Sequence, residues 1–227
     1  MTFVSRILGL IRDFVIARLF GANDLTDAFL VAFRIPNFFI LFFAEGAFSQ
    51  AFLPILVDTK TNHSEEEVHL VINHIATKLL SVLMIITLVA VIIAPLIIFL
   101  FAWGFYFKAD PEQFQLASNM LKITFPYLLL ISLTALSGSI LNAYDNFTIP
   151  AFTPVLLNIS LILSAIFLSK YLSTPIMALA WGVLIGGIAQ LAFQIPFLRK
   201  IKKLPKLKFG HHQALTTLKK RMLPALF

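Results

Sequence analysis

Charged side chains interrupt helices whose composition otherwise belongs in a lipid bilayer, and this constrains the fold more than any other feature of the chain. Arg6, Arg12, Asp13 and Arg18 lie in the first apolar segment; Asp27, Arg34 and Glu45 lie in the second. A charge at the bilayer centre costs at least about 2.5–3.5 kcal/mol on insertion scales, so such a group needs a partner, a polar cavity or a task. Two readings follow. The charges pair within and between helices and merely hold a bundle together, or they line a cavity that takes a charged or strongly polar cargo. Arg6 and Asp13, like Asp27 and Arg34, are seven positions apart, which places each pair within about 20° on one helix face. Arg12 does not share a face with Arg6, so the first helix is contacted from several sides. Arg18 and Arg34 can also snorkel toward a helix end.

Of the 227 residues, 59% are hydrophobic and 13% charged. A soluble domain carries roughly 25% charged residues, so the composition defines an all-α integral membrane protein. The 24 phenylalanines are expected to fill lipid-facing and interhelical volume, and the absence of cysteine excludes disulfides, thiolate metal sites and a cysteine nucleophile. The net charge of +7 is concentrated at one end: residues 197–227 hold nine basic residues and no acid. In a soluble protein this would point to nucleic acid. Here it marks a cytoplasmic juxtamembrane segment, and no nucleic-acid partner is expected. Arg12, Asp13 and Arg18 break the uncharged core that a cleaved signal peptide requires.

A span needs about 20 mainly apolar residues, and six candidates are present. The first covers Phe3 to Phe20 and stops at Gly21. The second runs from Asp24, read as its cap, to Val57, with Pro36, Gly46 and Pro54 as expected bends. The third, Ile75 to Trp103, follows a Ser64–Glu67 capping box and is expected to bend at Pro95. Asp110, Pro111 and Gln113 form another helix start before the fourth span, Leu116 to Ala143. Pro150 to Leu168 and Pro175 to Leu198, the latter capped by Thr174, complete the set. The expected architecture is a six-helix transmembrane bundle over residues 1–198, then a basic cytoplasmic loop and the start of a seventh helix over residues 199–227. Six spans put both ends on the cytoplasmic side. Inner loops are then Asp58–Glu67, Asn142–Ile149 and the tail; outer loops are Gly21–Asp24, Phe107–Gln113 and Ser169–Thr174.

Other motifs have plainer readings. Gly182 and Gly186 form a GxxxG pattern that packing explains. His63, His69, His74, His211 and His212 lack metal-ligand spacing and read as solvated loop residues. Asn62, Asn146 and Asn158 match the glycosylation pattern by chance. No phosphate-binding loop, nucleophile elbow or metal cluster is present, so neither an enzyme nor a cofactor is expected.

Ser5-Arg6-Ile7-Leu8-Gly9, Arg12-Asp13, Phe20-Gly21-Ala22 and Thr26-Asp27-Ala28-Phe29 occur in an order and spacing that resemble the MurJ/MviN-type lipid II flippases. Val31 to Asn37, Ala44 to Phe52, Ile123 to Tyr127, Ile149 to Asn158 and Ala178 to Gly182 extend the similarity over nearly the whole chain. The resemblance implies the MOP exporter superfamily, in which two six-helix lobes alternate access around a central cavity. It also implies the bacterial cytoplasmic membrane, and as cargo lipid II, the undecaprenyl-pyrophosphate-linked peptidoglycan precursor. On it, Arg6 and Arg12 contact the pyrophosphate, Asp13 orients Arg12, and Ser5 is a polar neighbour. Asp27 and Glu45 match acidic positions and, with Arg34, are assigned to gating or coupling. The family carries two arginines where Ile40 and Leu41 stand here. Partners implied are lipid II, membrane lipids and a second six-helix lobe beyond these residues; the 227 residues alone are not expected to transport. The competing readings are another MOP-type exporter of drugs or polyprenyl-linked sugars, a membrane enzyme acting on polyprenyl-phosphates, and a non-transporting interaction subunit.

Overall fold

A computed structural model of the chain describes residues 3–40, 47–104, 111–210 and 212–222. Among them every regular element is helical: α1 (Phe3–Phe20), α2 (Asp24–Ile40), α3 (Ala47–Asn62), α4 (Glu65–Ile92), α5 (Ala94–Phe101), α6 (Pro111–Thr124), α7 (Tyr127–Ala143), α8 (Thr148–Ile166), a 3₁₀ turn (Leu168–Tyr171), α9 (Met177–Lys200) and α10 (Gln213–Met222). The all-α expectation holds. Four stretches among the described residues, Glu65–Ile92, Pro111–Ala143, Thr148–Ile166 and Met177–Lys200, are long and apolar enough to cross a membrane. α1 and α2 are shorter, 18 and 17 residues, and carry the charges described above.

α1 stops at Gly21, whose φ of 71° lies in the left-handed region that a residue with a Cβ avoids. Asn23 then joins two helix ends. Its Nδ2 donates to the Phe20 carbonyl at 2.8 Å and its Oδ1 accepts from the Thr26 amide at 3.0 Å. The cap of α2 is therefore Asn23 and not Asp24, which is already helical; Asp24 and Asp27 instead put acid in the first turn, where the helix dipole favours it. Ser64 caps α4 as expected, accepting from the Glu67 amide. At the start of α9 no side chain caps; the Thr174 carbonyl accepts from the Met177 amide at 3.0 Å. Asp110 and Gly46 lie outside the described residues.

The prolines behave differently from one another. Pro36 and Pro54 sit inside α2 and α3, and neither ends its helix. Pro36 has no N–H to give the Ala32 carbonyl, and Thr124 of α6 supplies the missing donor at 2.8 Å. Pro154 leaves the Pro150 carbonyl in the same position, and the Thr153 hydroxyl donates to it. The third span separates at Ile93, with Pro95 in the first turn of α5, the place where a missing N–H matters least. The fourth span is two helices, α6 and α7, parted at Phe125 and Pro126.

α8 and α9 are the most intimate pair. A Cβ on Gly186 would fall 2.8 Å from Leu157 Cδ1, and one on Gly182 would fall 2.9 Å from Ser164 Cβ. That proximity lets the Ser160 hydroxyl donate to the Gly182 carbonyl at 2.7 Å, so the GxxxG pattern is a packing device. Phenylalanine fills the core of the bundle: Phe48, Phe52 and Phe125 are almost completely buried, and the Phe48 and Phe52 rings stack at 5.6 Å.

Two of the three expected outer loops meet each other, and so do the three expected inner segments. Between the outer loops, Gln113 Nε2 donates to the Asp24 carbonyl at 2.9 Å. Between the inner segments, Lys60 Nζ donates to the Ala143 carbonyl at 2.8 Å and lies over the Tyr144 ring. Burial pushes the Tyr144 phenol above its ordinary pKa.

The basic tail is not a free loop. Lys203 is 3% exposed; its ammonium bonds the Glu65 carboxylate, approaches His69 Nε2 at 3.3 Å and faces the Tyr144 ring. The Lys206 and Lys208 amides donate to Asn73 Oδ1 and Thr77 Oγ1 on α4. α10 then packs through Ala214, Leu215 and Leu218.

The expectation of solvated histidines fails for three of the five. His74 is 7% exposed and stacks on His212 at 5.0 Å, His212 reaches Glu67 at 3.1 Å, and His69 touches Lys203. The tail folds back over α4 and covers them, a long-range event that local spacing does not encode. His211 lies outside the described residues.

Candidate functional site

α1 is held to the bundle by one narrow face. Only Ser5 of its residues is buried, while Phe3, Leu10 and Phe14 are 77%, 73% and 62% exposed. Ser5 and Arg12 are seven positions apart and so share that face. Both meet one residue of α8: Asn158, 6% exposed, donates through Nδ2 to the Ser5 carbonyl at 3.2 Å and accepts through Oδ1 from Arg12 Nη1 at 3.0 Å. On the other side of the guanidinium, Arg12 Nε and Nη2 donate to one carboxylate oxygen of Asp13 at 2.9 and 2.7 Å. The Arg12 side chain is 25% exposed, that of Asp13 65%.

This arrangement has a definite chemical capacity. A guanidinium has five N–H donors, and three of those of Arg12 are used here. Two remain, one on each terminal nitrogen, and can donate to an oxyanion. Asp13 and Asn158 hold the group in place without spending those donors. Arg12 and Asp13 line a cleft of about 370 Å³ with Thr26, Asp27, Phe33 and Leu161. A larger cavity, about 650 Å³, lies over α8, α9 and the 3₁₀ turn, and its apolar wall holds only Ser160, Ser164 and Tyr171 as polar side chains, none of them a cation. It has no means of holding a charge.

The fold therefore brings Arg12, Asp13 and Asp27 to one cleft, and ties the Ser5 carbonyl to the same Asn158 that holds Arg12. Arg6 and Arg34 are exposed on α1 and α2, away from the cleft wall. Among the described residues neither Arg6 and Asp13 nor Asp27 and Arg34 form an ion pair. The seven-residue spacing gives a shared face but a rise of about 10.5 Å between the partners. Glu45 and Leu41 lie outside the described residues, and Ile40 is buried at the end of α2. The residue that sequence reasoning passed over is Asn158, read there as a chance glycosylation match. The usable signal was an amide side chain within an apolar span, which in lipid demands a partner.

Residues 16–227 match the family model described as lipid II flippase MurJ. The chain belongs to the MurJ lipid II flippase family. Relatives cover the N-terminal residues as well. A lipid II flippase MurJ of Burkholderia cenocepacia is 41% identical over 231 residues, covering 100% of this chain and 44% of the relative. A protein of Buchnera aphidicola from Acyrthosiphon pisum, named a probable lipid II flippase MurJ, is 43% identical over 228 residues, again covering 100% of this chain and 44% of the relative. The fold is similar to a solved lipid II flippase MurJ in an inward closed conformation, with a TM-score of 0.79 and 31% identity over 98% of this chain and 45% of that one. The chain thus spans about half the length of the curated relatives it matches. These relatives are transporters by name, which sets the family apart from the polyprenyl-phosphate enzymes.

Proposed function

We propose that this chain is the N-terminal lobe of a flippase that moves lipid II across the bacterial cytoplasmic membrane by alternating access. The observation that carries the reading is the Arg12 guanidinium, held by Asp13 and Asn158 at the mouth of a cleft with two donors to spare. A pyrophosphate-linked lipid offers the oxyanions that such a group binds. Arg6, exposed on the same helix, is the second pyrophosphate contact, and Ser5 fixes the backbone that carries both. Asp27, Arg34 and Glu45 act in gating or coupling.

The lobe crosses the membrane six times over residues 1–198, with α2 and α3 forming one crossing and α4 and α5 another. Residues 199–227 are the cytoplasmic connection to the next helix, and the N-terminus is cytoplasmic. Nine basic residues in the tail support this orientation under the positive-inside rule. The exposed outer face of α1 is where a second six-helix lobe packs across the cargo cavity.

A chimera tests this reading. The chain is joined to the remaining part of the Burkholderia cenocepacia relative and expressed while the host's own flippase is depleted. Growth and outer-leaflet lipid II are expected to be sustained, and to be lost in Arg6→Ala and Arg12→Ala. Full flipping by both substituted chimeras would overturn the assignment.

A further inference from the structure

Two cavities meet where the chain leaves α9. One, about 440 Å³, is walled by His69 and Asn73 of α4, Arg199 of α9, and Lys202, Leu204 and Lys206 of the segment that follows. The other, about 230 Å³, shares Leu204 and Lys206 with the first and continues between Leu80, Leu136, Leu191 and Ile195. Their order along the helices matters. His69 and Asn73 lie nearer the start of α4 than Leu80, and Arg199 lies nearer the end of α9 than Ile195 and Leu191. Both helices therefore pass from the cationic cavity to the apolar one in the same direction, over about 16 Å from His69 to Leu80.

The charges in the cationic cavity are uncompensated. Arg199, Lys202 and Lys206 are exposed and form no ion pair among the described residues. Lys203, between them in sequence, is turned inward and matched by Glu65. Lys202 adopts a left-handed φ of 58°, a conformation held by the Lys202 and Lys203 amides on the Arg199 and Leu198 carbonyls. The Lys206 amide on Asn73 Oδ1 fixes the far side.

We infer that the joined cavities bind an acidic phospholipid, its phosphate held by Arg199, Lys202 and Lys206 and one acyl chain laid along Leu80, Leu136, Leu191 and Ile195. Basic pockets at the cytoplasmic ends of membrane helices attract acidic head groups, and each lysine or arginine adds to the attraction. A zwitterionic lipid satisfies only the apolar half of the site, and free phosphate only the cationic half. The inference rests on the topology proposed above for the leaflet alone, which is the one facing the basic tail.

The 227-residue chain in an uncharged detergent is titrated with dioctanoyl phosphatidylglycerol, dioctanoyl phosphatidylcholine and inorganic phosphate, binding being read by native mass spectrometry. The acidic lipid is expected to bind at least about tenfold more tightly than either other probe. The triple substitution Arg199→Ser, Lys202→Ser, Lys206→Ser removes exposed side chains, leaves the helical circular dichroism unchanged and weakens the acidic lipid about tenfold or more. Ile195→Trp fills the groove and weakens the lipid without altering phosphate binding. Removing the three cations of α10, Lys219, Lys220 and Arg221, leaves lipid binding intact. Equal affinity for the two lipids, phosphate binding as tight as the acidic lipid, or equal loss on removing the α10 cations would each overturn the inference. So would loss in Arg6→Ala/Arg12→Ala with none in the triple variant, which would move the lipid to the α1 cleft. No arm measures flipping, so the inference and the flippase reading fail separately.

Discussion

Arg12 Nη1 lies 3.0 Å from Asn158 Oδ1, a contact between residues 146 positions apart that ties the first helix of the chain to the eighth. The same Asn158 holds the Ser5 carbonyl, so one amide sets both the height of α1 and the aim of its guanidinium. Asn158→Leu keeps the volume and removes both bonds. Without them the guanidinium is no longer pre-organised for its ligand, and lipid II binding by the chimera is expected to fall roughly tenfold. Arg12→Lys has the same outcome for a different reason: an ammonium keeps the charge and loses the fork. Binding within about twofold of the parent in both variants would remove Asn158 and the fork geometry from the site.

Thr124 and Pro36 form a second long-range unit. Thr124→Val removes the hydroxyl that donates to the Ala32 carbonyl, and loss of a donor to a buried backbone acceptor costs about 1–3 kcal/mol. Pro36→Ala restores an N–H at the position that naturally serves that carbonyl. The double variant is expected to be more stable than the sum of the two single changes predicts. Thermal unfolding in detergent as a double-mutant cycle measures the coupling; additivity within about 0.5 kcal/mol would refute it.

The glycines separate into those that space allows to change and those it does not. Gly186→Ala puts a methyl 2.8 Å from Leu157 Cδ1 and 3.3 Å from its backbone Cα, and forces α8 from α9 at about 1–3 kcal/mol. Gly9→Ala meets nothing within 4 Å and is expected to be neutral or stabilising by up to about 1 kcal/mol. Melting temperatures of the two variants should move in opposite directions or differ by several degrees; a lower value for Gly9→Ala than for Gly186→Ala contradicts the packing described.

Glu65→Gln tests the docking of the tail. Lys203 is buried, whereas its partner Glu65 is largely exposed, with a side-chain accessibility of 72%. Neutralising the acid leaves a buried ammonium without its counter-charge. The segment from Lys202 to Lys208 is then expected to leave α4 and become susceptible to trypsin, which is read by limited proteolysis. Lys203→Met removes the charge and the need for a partner together, and keeps the segment docked. Equal cleavage of both variants would show that the ion pair does not hold the tail.

Much of the local structure was legible residue by residue. The stop of α1 at Gly21, the Ser64 cap of α4 and the close approach at Gly182 and Gly186 each depend on neighbours within one helical turn or on the absence of a Cβ. The charges within the apolar segments of α1 and α2 marked them as helices with something to do beyond spanning lipid, because such groups are costly there. Where two local signals competed the outcome was hidden: Asn23 and Asp24 can both cap, and geometry chose the first. Pro95 marked a break two residues late because proline is accommodated in the first turn of the helix that follows.

What the sequence by itself determined is the helical class, the membrane setting and the family. Only the tertiary structure decided which charges meet. It aligned Asn158 with both Ser5 and Arg12, brought Asp27 into the same cleft, left Arg6 and Arg34 outward, and turned Lys203 and His74 from a tail and a loop into buried contacts. The physical reason is range. Helix propensity, capping and hydropathy act within a few residues, whereas a buried hydrogen bond or ion pair depends on how helices far apart in the chain are packed.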